Sequence, residues 1–293
     1  MALIATLFGL VAAVSWGIAD FLAAKAAKKF GGMATSVLVT MVGTIAFIVI
    51  YALFFREHTN FVGKGILYAL ASGAVYTFAN ISFYKGLEYG PVNLVSPIGS
   101  MYAVVTAIVL VVLFHESLSL RQVLGVVAVM VGVGMALGLF EGVKRKSHER
   151  RGPFLAVVAA LCWGLAWVFI AQAVKYIGWQ FTAAIELVSS SLLFVVLIPW
   201  LRTFEKGLSL NLIPGSRSRL MITAALVMTL GFLSLSIGLD HYGSMASTIV
   251  VVSACYPIIT IYLALHNLHE KFQPIPLTGA MLGIGGVILL SLG

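Results

Sequence analysis

Two acidic residues lie inside long apolar segments of this 293-residue sequence, Asp20 and Glu186. A charged side chain at the centre of a bilayer costs about 2.5 to 3.5 kcal/mol on insertion scales, so such residues usually face a polar interior. Desolvation disfavours the ionised form of a carboxyl group, which makes both residues candidates for proton exchange. Two structural alternatives stay open. For Asp20 the alternative is an ion pair with Lys25 near the membrane surface. For Glu186 the alternative is a protonated, hydrogen-bonded carboxyl group.

A second group of residues combines aromatic rings with polar groups. Tyr76, Asn80 and Tyr84 recur at every fourth position, which places them on one face of a helix. Polar groups inside a membrane need partners, so this face either borders a cavity or forms interhelical hydrogen bonds. Trp16 lies too deep for an interfacial belt and is assigned to a cavity wall. The predicted cavity residues are Trp16, Asp20, Tyr76, Asn80, Tyr84, Ser96, Tyr102, Trp163, Trp167, Ser253 and Tyr256.

Two proline residues, Pro97 and Pro257, lie in segments that are also rich in serine and tyrosine. Proline removes a backbone donor and bends or breaks a helix. Membrane proteins use such bends at binding sites and gates, although some prolines make plain kinks. The two segments, near 92–114 and 244–265, are therefore the main candidates for substrate contact, and their prolines are the candidate hinges.

The composition requires a membrane protein, since 61% of residues are hydrophobic, 10% are charged and the mean hydropathy is +1.07. About 20 apolar residues span a bilayer. Ten such runs predict an all-α polytopic fold, near 3–24, 33–55, 65–84, 92–114, 122–140, 153–174, 179–201, 219–239, 244–265 and 276–292. Basic residues at helix ends indicate topology signals and lipid contacts, so nucleic acid is not an expected partner.

No catalytic motif occurs in the sequence: it has no P-loop, no His-Glu-x-x-His and no Gly-x-Ser-x-Gly. Cys162 and Cys255 lie in apolar runs without metal-ligand spacing. We therefore expect neither an enzyme nor a cofactor or metal site.

Three short patterns recur in the same order in both halves. Residues 12–17 (AAVSWG) return at 159–164 (AALCWG), 86–90 (GLEYG) at 238–243 (GLDHYG), and 115–116 (HE) at 269–270, with glycines at equal spacing after them. Five helices per half is an odd number, so the second half must be inverted relative to the first. The predicted organisation is a five-helix repeat over 1–140, a basic linker over 141–152 and a second repeat over 153–293. Inverted repeats are typical of secondary transporters.

The distribution of basic residues predicts the orientation. Fourteen of the eighteen Lys and Arg residues lie on the side of the 141–152 linker and four on the other. The positive-inside rule then puts the linker in the cytoplasm and both termini outside. We expect a multi-pass protein of the cell membrane. The glycine-rich fifth and tenth helices are expected to pack within each half of a monomer, with a homodimer interface as the alternative.

These repeated motifs resemble the EamA family of the drug/metabolite transporter superfamily. The Trp-Gly pairs (Trp16-Gly17 and Trp163-Gly164), the Gly-Leu-acidic turns and the Glu that precedes a glycine-punctuated helix carry the resemblance, which covers essentially the whole chain. It implies an alternating-access carrier with a central cavity lined by helices 1, 3, 4, 6, 8 and 9.

Three functions stay open. The first is a secondary transporter of a small metabolite, such as an amino-acid or related exporter. The second is a proton-coupled exporter of lipophilic cations or drugs, for which Asp20 and Glu186 are the coupling candidates. The third is a receptor or scaffold that transports nothing. The expected partners are a small-molecule substrate and the lipid bilayer.

Overall fold

The computed structural model describes residues 2–54, 62–114, 119–137, 147–205, 216–242, 245–270 and 273–291. Twelve helices account for most of these residues, and no strand occurs among them. The helices are α1 (Ala2–Phe30), α2 (Gly32–Phe54), α3 (Gly63–Tyr89), α4 (Val92–Ser100), α5 (Tyr102–Phe114), α6 (Leu120–Ala136), α7 (Ser147–Ile177), α8 (Trp179–Phe204), α9 (Ser216–His241), α10 (Ala246–Ser253), α11 (Tyr256–Asn267) and α12 (Pro274–Ser291).

Eight helical segments in the described part of the chain are long and apolar enough to cross a membrane. Two of these segments, Val92–Leu113 and Thr248–Asn267, contain an interruption and consist of α4 with α5 and of α10 with α11. The helices α6 and α12 are apolar but shorter. Large apolar side chains such as Leu67, Leu113 and Val196 are more than 60% exposed, which fits contact with lipid. The chain is therefore an all-helical, multi-pass membrane protein.

Single glycines join the first two long helices of each half. Gly31 (φ 94°) separates α1 from α2, and Gly178 (φ 74°) separates α7 from α8. A positive φ favours glycine because other residues clash there. A threonine four residues later, Thr35 or Thr182, donates a hydrogen bond to each glycine carbonyl at 2.8 and 2.6 Å. The two turns are 147 positions apart, as are the Trp-Gly pairs.

The two halves of the chain interlock. The first helix, α1, packs mainly against α9, α10 and α11 of the second half, and α7 packs in the same way against α3, α4 and α5. The glycine-rich helices α6 and α12 also pack on each other, since a Cβ on Gly132 would lie 2.5 Å from the Gly279 carbonyl oxygen. The expectation that these glycine faces pack within each half is therefore wrong. The glycine seam joins the two halves inside one chain.

The two ends of the bundle are packed differently. At one end, which we call the closed end, one cluster of buried residues joins α1, α2, α3, α4, α6, α7, α9 and α11, and two smaller groups join α2 with α8 and α11 with α12. At the other end, which we call the open end, the buried residues divide into separate groups: α1 with α9 and α10, α2 with α8 and α9, and α3 with α7. The main buried cluster at the closed end therefore spans more helices than any buried group at the open end.

Candidate functional site

A central cavity lies between the halves and borders on the closed-end cluster. The space measures about 930 Å³, including the part continuous with solvent. Nine of the eleven residues that the sequence predicts for a cavity border it: Trp16, Asp20, Tyr76, Asn80, Tyr84, Tyr102, Trp163, Trp167 and Tyr256. They come from α1, α3, α5, α7 and α11.

The helix α2 contributes four lining residues that the sequence analysis missed: Val39, Thr40, Gly43 and Phe47. These residues have apolar or small side chains in an apolar run, so nothing in their local pattern separates a cavity wall from a lipid face. Asn80 links α2 to the predicted polar face of α3, because its amide donates a hydrogen bond to the Thr40 hydroxyl at 3.2 Å. The cavity is therefore lined by more helices than the family resemblance implied.

Asp20 is the one carboxylate among the described residues that line the cavity. It is 4% exposed, and its Oδ2 accepts a hydrogen bond of 2.6 Å from the Ser96 hydroxyl of α4. Within the described residues no cation lies within 4 Å of it, and Lys25 instead lies 5.4 Å from the centre of the Phe21 ring. Lys25 and Asp20 therefore do not form an ion pair in the structure. Ser96 is fully buried and does not line the cavity, but it orients the carboxylate that does.

The Trp-Gly pairs pack across the two halves in matching ways. Trp16 meets Tyr256 edge to face with ring centres 5.9 Å apart, and Trp163 meets Tyr102 with ring centres 6.4 Å apart. The glycines that follow the tryptophans let α1 approach α11 and let α7 approach α5. A Cβ on Gly17 would lie 2.8 Å from the Tyr256 carbonyl oxygen. The repeated motif therefore fixes the aromatic walls of the cavity.

Two threonines complete this arrangement, and the sequence analysis missed both. Thr260 donates a hydrogen bond to the Gly17 carbonyl at 3.2 Å, and Thr106 donates one to the Gly164 carbonyl at 3.0 Å. The two threonines are 154 positions apart, like Tyr102 and Tyr256. This spacing was the signal that could have found them.

The two predicted hinges differ in where the helix breaks. Met101 interrupts the helix four residues after Pro97, and the Ser100 hydroxyl donates to the Pro97 carbonyl at 2.7 Å. In the second half the break falls at Ala254 and Cys255, immediately before Pro257 in the first turn of α11. Ser253 ends α10, where its hydroxyl donates to the Val250 carbonyl, and it does not line the cavity.

Glu186 lies outside the cavity. It is 5% exposed on α8, and its Oε1 accepts a hydrogen bond of 2.8 Å from the Ser72 hydroxyl of α3. Two further hydroxyl contacts join α2 and α3 to α8 nearby: Thr44 with Ser191 at 2.8 Å and Thr77 with Ser190 at 2.9 Å. Glu186 is therefore part of a polar helix interface and is not placed to touch a ligand in the cavity.

A network of ionic groups covers the closed end. The Glu270 carboxylate accepts hydrogen bonds from the Val92 and Asn93 backbone N–H groups at 2.7 and 2.9 Å, and it pairs with Lys28 at 2.9 Å. It therefore lies at the N-terminus of α4, where the helix dipole favours an anion. Glu270 belongs to the second half, and the other groups belong to the first.

A second carboxylate binds the start of α2 in the same way. Glu88 accepts a hydrogen bond of 2.6 Å from the Gly32 backbone N–H and pairs with Lys85 at 2.7 Å. Lys85 also pairs with Glu205 of the second half at 3.2 Å, and its side chain is only 12% exposed. Like the first network, this one joins the two halves of the chain at the closed end.

Known proteins were compared with the whole chain. The EamA-like transporter family matches residues 3–138 and again residues 150–292. An uncharacterised transporter from Archaeoglobus fulgidus is 23% identical over 160 residues, which are 55% of this chain and 56% of that protein. An uncharacterised protein from Methanocaldococcus jannaschii is 26% identical over 132 residues, 44% of this chain and 93% of that protein. A crystal structure superimposes with a TM-score of 0.63 over 98% of this chain and 96% of the other, at 17% identity, so it shares the fold.

Proposed function

The chain belongs to the EamA-like transporter family, and from this premise we propose that it is a secondary transporter that moves a small metabolite by alternating access through the central cavity. The observation that carries the proposal is the unequal packing of the two ends around that cavity. At one end a buried cluster joins eight helices and ionic contacts link the halves, whereas each buried group at the other end joins only two or three helices.

The contacts between the halves support an inverted arrangement of two five-helix repeats and ten membrane crossings. The first part of the fourth crossing, α4, packs against the second part of the ninth, α11. The first part of the fourth crossing, α4, is therefore at the closed end, whereas the first part of the ninth crossing, α10, is at the open end. The equivalent pair at the open end, α5 and α10, makes at most marginal contact among the described residues. In an inverted repeat, loss of the α4–α11 contact together with gain of an α5–α10 contact would open the closed end and close the open end.

The charge distribution assigns the sides in this proposal. The C-terminal parts of α1 and α3 contribute Lys28 and Lys85 to the closed end, and the connections after α8 and α11 contribute Glu205 and Glu270. These connections belong to the side with fourteen of the basic residues, which is the cytoplasmic side by the positive-inside rule. The described conformation would then face outward in the cell membrane, with the 141–152 linker inside and both termini outside.

Proton exchange at Asp20 is the second part of the proposal. The carboxylate borders the cavity and has one hydroxyl partner, so a change of access would alter its solvation. The other titratable side chains among the described lining residues are Tyr76, Tyr84, Tyr102 and Tyr256, and Lys25 is directed to Phe21. Glu186 has a structural hydrogen-bonding position outside the cavity, so we assign coupling to Asp20.

Cysteine labelling from each side of the membrane tests alternating access. The native Cys162 and Cys255 are first replaced by serine, and Met228, which lines the cavity from α9, is replaced by cysteine. A membrane-impermeant maleimide is then applied to right-side-out and to inside-out vesicles. We expect Met228→Cys to react from both sides. Leu226→Cys on the outer face of the same helix, 49% exposed toward lipid, should react from neither side.

A receptor or scaffold would give a different result in this experiment. Its cavity would be reachable from one side only, so Met228→Cys would react in one type of vesicle and be protected in the other. That result would remove the transport proposal without any knowledge of the substrate. A thermal-shift screen of metabolites, followed by flux in liposomes with the best ligand, then identifies what is moved.

A further inference from the structure

The cavity has an unusual combination of side chains. Among the described residues that line it, nineteen in all, ten are aromatic, one is a carboxylate, and none is Lys, Arg or His. The basic residues nearest in the chain, Lys25, Lys28 and Lys85, are directed to an aromatic ring or to glutamates at the closed end. A ligand in this cavity therefore meets negative charge and aromatic rings without a compensating cation.

The Asp20 carboxylate has one oxygen left for a ligand. Its Oδ2 is bound by Ser96, whereas Oδ1 receives no hydrogen bond from the described residues and is not among the enclosed, unpaired side-chain atoms. Oδ1 therefore keeps some accessible surface, and the residue lines the cavity. A carboxylate in a region of low dielectric is stabilised by a positive charge and destabilised by a second negative one.

The aromatic walls act in the same direction. Trp16 packs edge to face on Tyr256, and Tyr102 lies parallel to Trp167 with ring centres 5.8 Å apart. All four rings line the same cavity as Asp20. Aromatic rings attract cations through their quadrupole and also bury apolar groups. A zwitterion or an anion would need a basic group for its own carboxylate, and the lining residues within the described ranges supply none.

We propose that the substrate of this cavity is an organic monocation with an apolar or aromatic body, held by Asp20 Oδ1 and the surrounding rings. The inference rests on the proposed transport function and names its substrate class. Asp20 accepts a hydrogen bond from Ser96 of α4, and Glu270 binds the N-terminus of the same helix at the closed end. The helix α4 therefore connects the ligand site to the closed end. Loss of the cation would leave the carboxylate unpaired.

Two ions of the same shape and opposite charge test the inference. Tetraphenylphosphonium and tetraphenylborate are titrated into purified protein by calorimetry, with empty micelles as the blank. We expect the wild-type protein to bind the phosphonium at least about tenfold more tightly than the borate. Asp20→Asn should lower the phosphonium affinity by about tenfold and reduce the discrimination between the ions. Glu186→Gln, which changes a buried carboxylate outside the cavity, should leave both affinities within about twofold.

Three results would overturn the inference: tighter binding of the borate, binding of the zwitterion phenylalanine in preference to the phosphonium, or an unchanged phosphonium affinity in Asp20→Asn. The comparison of the two ions in the wild-type protein stands even if Asp20→Asn does not fold. The cation inference can fail while the transport proposal holds, because Met228→Cys labelling does not depend on the charge of a ligand. Reaction from both sides together with borate preference would keep the transporter and reject the cation.

Discussion

Substitution of Glu270 should open the closed end. Glu270→Gln keeps the size of the side chain and one acceptor oxygen, so one of the two bonds to the Val92 and Asn93 N–H groups remains, without its charge. Hydrogen bonds to charged groups contribute about 1.5 to 3 kcal/mol and neutral ones about 0.5 to 1.5. Lys28 is one-third exposed, so its ion pair adds at most about 1 kcal/mol. After rehydration of the freed groups, we expect a net loss of about 2 kcal/mol, or about thirtyfold in the opening equilibrium.

A buried serine offers a reporter for this equilibrium. Ser36 is fully buried on α2, one turn before the lining residue Thr40 on the same helix face, toward the closed end. Ser36→Cys changes only the hydroxyl to a thiol, in a protein whose Cys162 and Cys255 have been replaced by serine. The modification rate by an impermeant maleimide, applied from the closed-end side, follows the open population when opening is fast.

The order of the labelling rates among three variants tests this reasoning. Glu270→Gln should raise the rate about thirtyfold, and Lys28→Gln, which leaves both backbone bonds in place, at most about fivefold. Lys64→Gln removes an exposed charge at the start of α3, away from the closed end, and should change nothing. The reasoning is refuted if Lys28→Gln equals or exceeds Glu270→Gln, or if Glu270→Gln leaves both the labelling rate and the melting temperature unchanged.

Three further predictions follow from the site and the fold. Asp20→Asn retains size and hydrogen bonding but cannot titrate, so transport in liposomes should lose its dependence on pH; an unchanged pH profile in the folded variant would remove proton exchange at this residue. Gly164→Ala places a Cβ against Val105 and should cost about 1 to 3 kcal/mol of stability, measured as a lower melting temperature, whereas Gly285→Ala meets no atom within 4 Å and should not. Reporters fused to the two termini should be active only outside the cell, and cytoplasmic activity would contradict the predicted orientation.

Local patterns explain why much of the site was predictable. Tyr76, Asn80 and Tyr84 repeat at helical spacing, and that spacing depends only on helix geometry. The long apolar runs likewise follow from the thickness of the bilayer. The sequence placed these residues on a common face, and the structure puts that face on the cavity. Whether they touch a substrate stays a prediction.

Contacts between distant residues were not accessible to the same reasoning. Lys85 and Glu88 are three positions apart, a spacing that by itself predicts a solvated pair at the end of one helix. In the structure the pair is partly buried and extends to Gly32 and Glu205. Only the approach of α2 and α8 to the end of α3 creates this burial. No periodicity within α3 contains that information.

One alternative could have been excluded from geometry alone. Lys25 follows Asp20 by five residues, which at 3.6 residues per turn places the two side chains about 140° apart around α1. Side chains three or four positions apart share a helix face, and side chains five apart do not. The observed direction of Lys25, toward the Phe21 ring four residues earlier, follows the same rule.

The interlocked halves also determine when the molecule is completed during its synthesis. The partner of Lys28, Glu270, is synthesised 242 residues later, and Thr260, which bonds to Gly17, is synthesised 243 residues later. At about 5 to 20 residues per second, a ribosome needs roughly 10 to 50 s to cover that distance. Throughout this interval the Trp-Gly face of α1 is already in the bilayer without α11, so lipid or the insertion machinery must cover it. The first half therefore reaches its final packing only when translation of the second half is nearly finished.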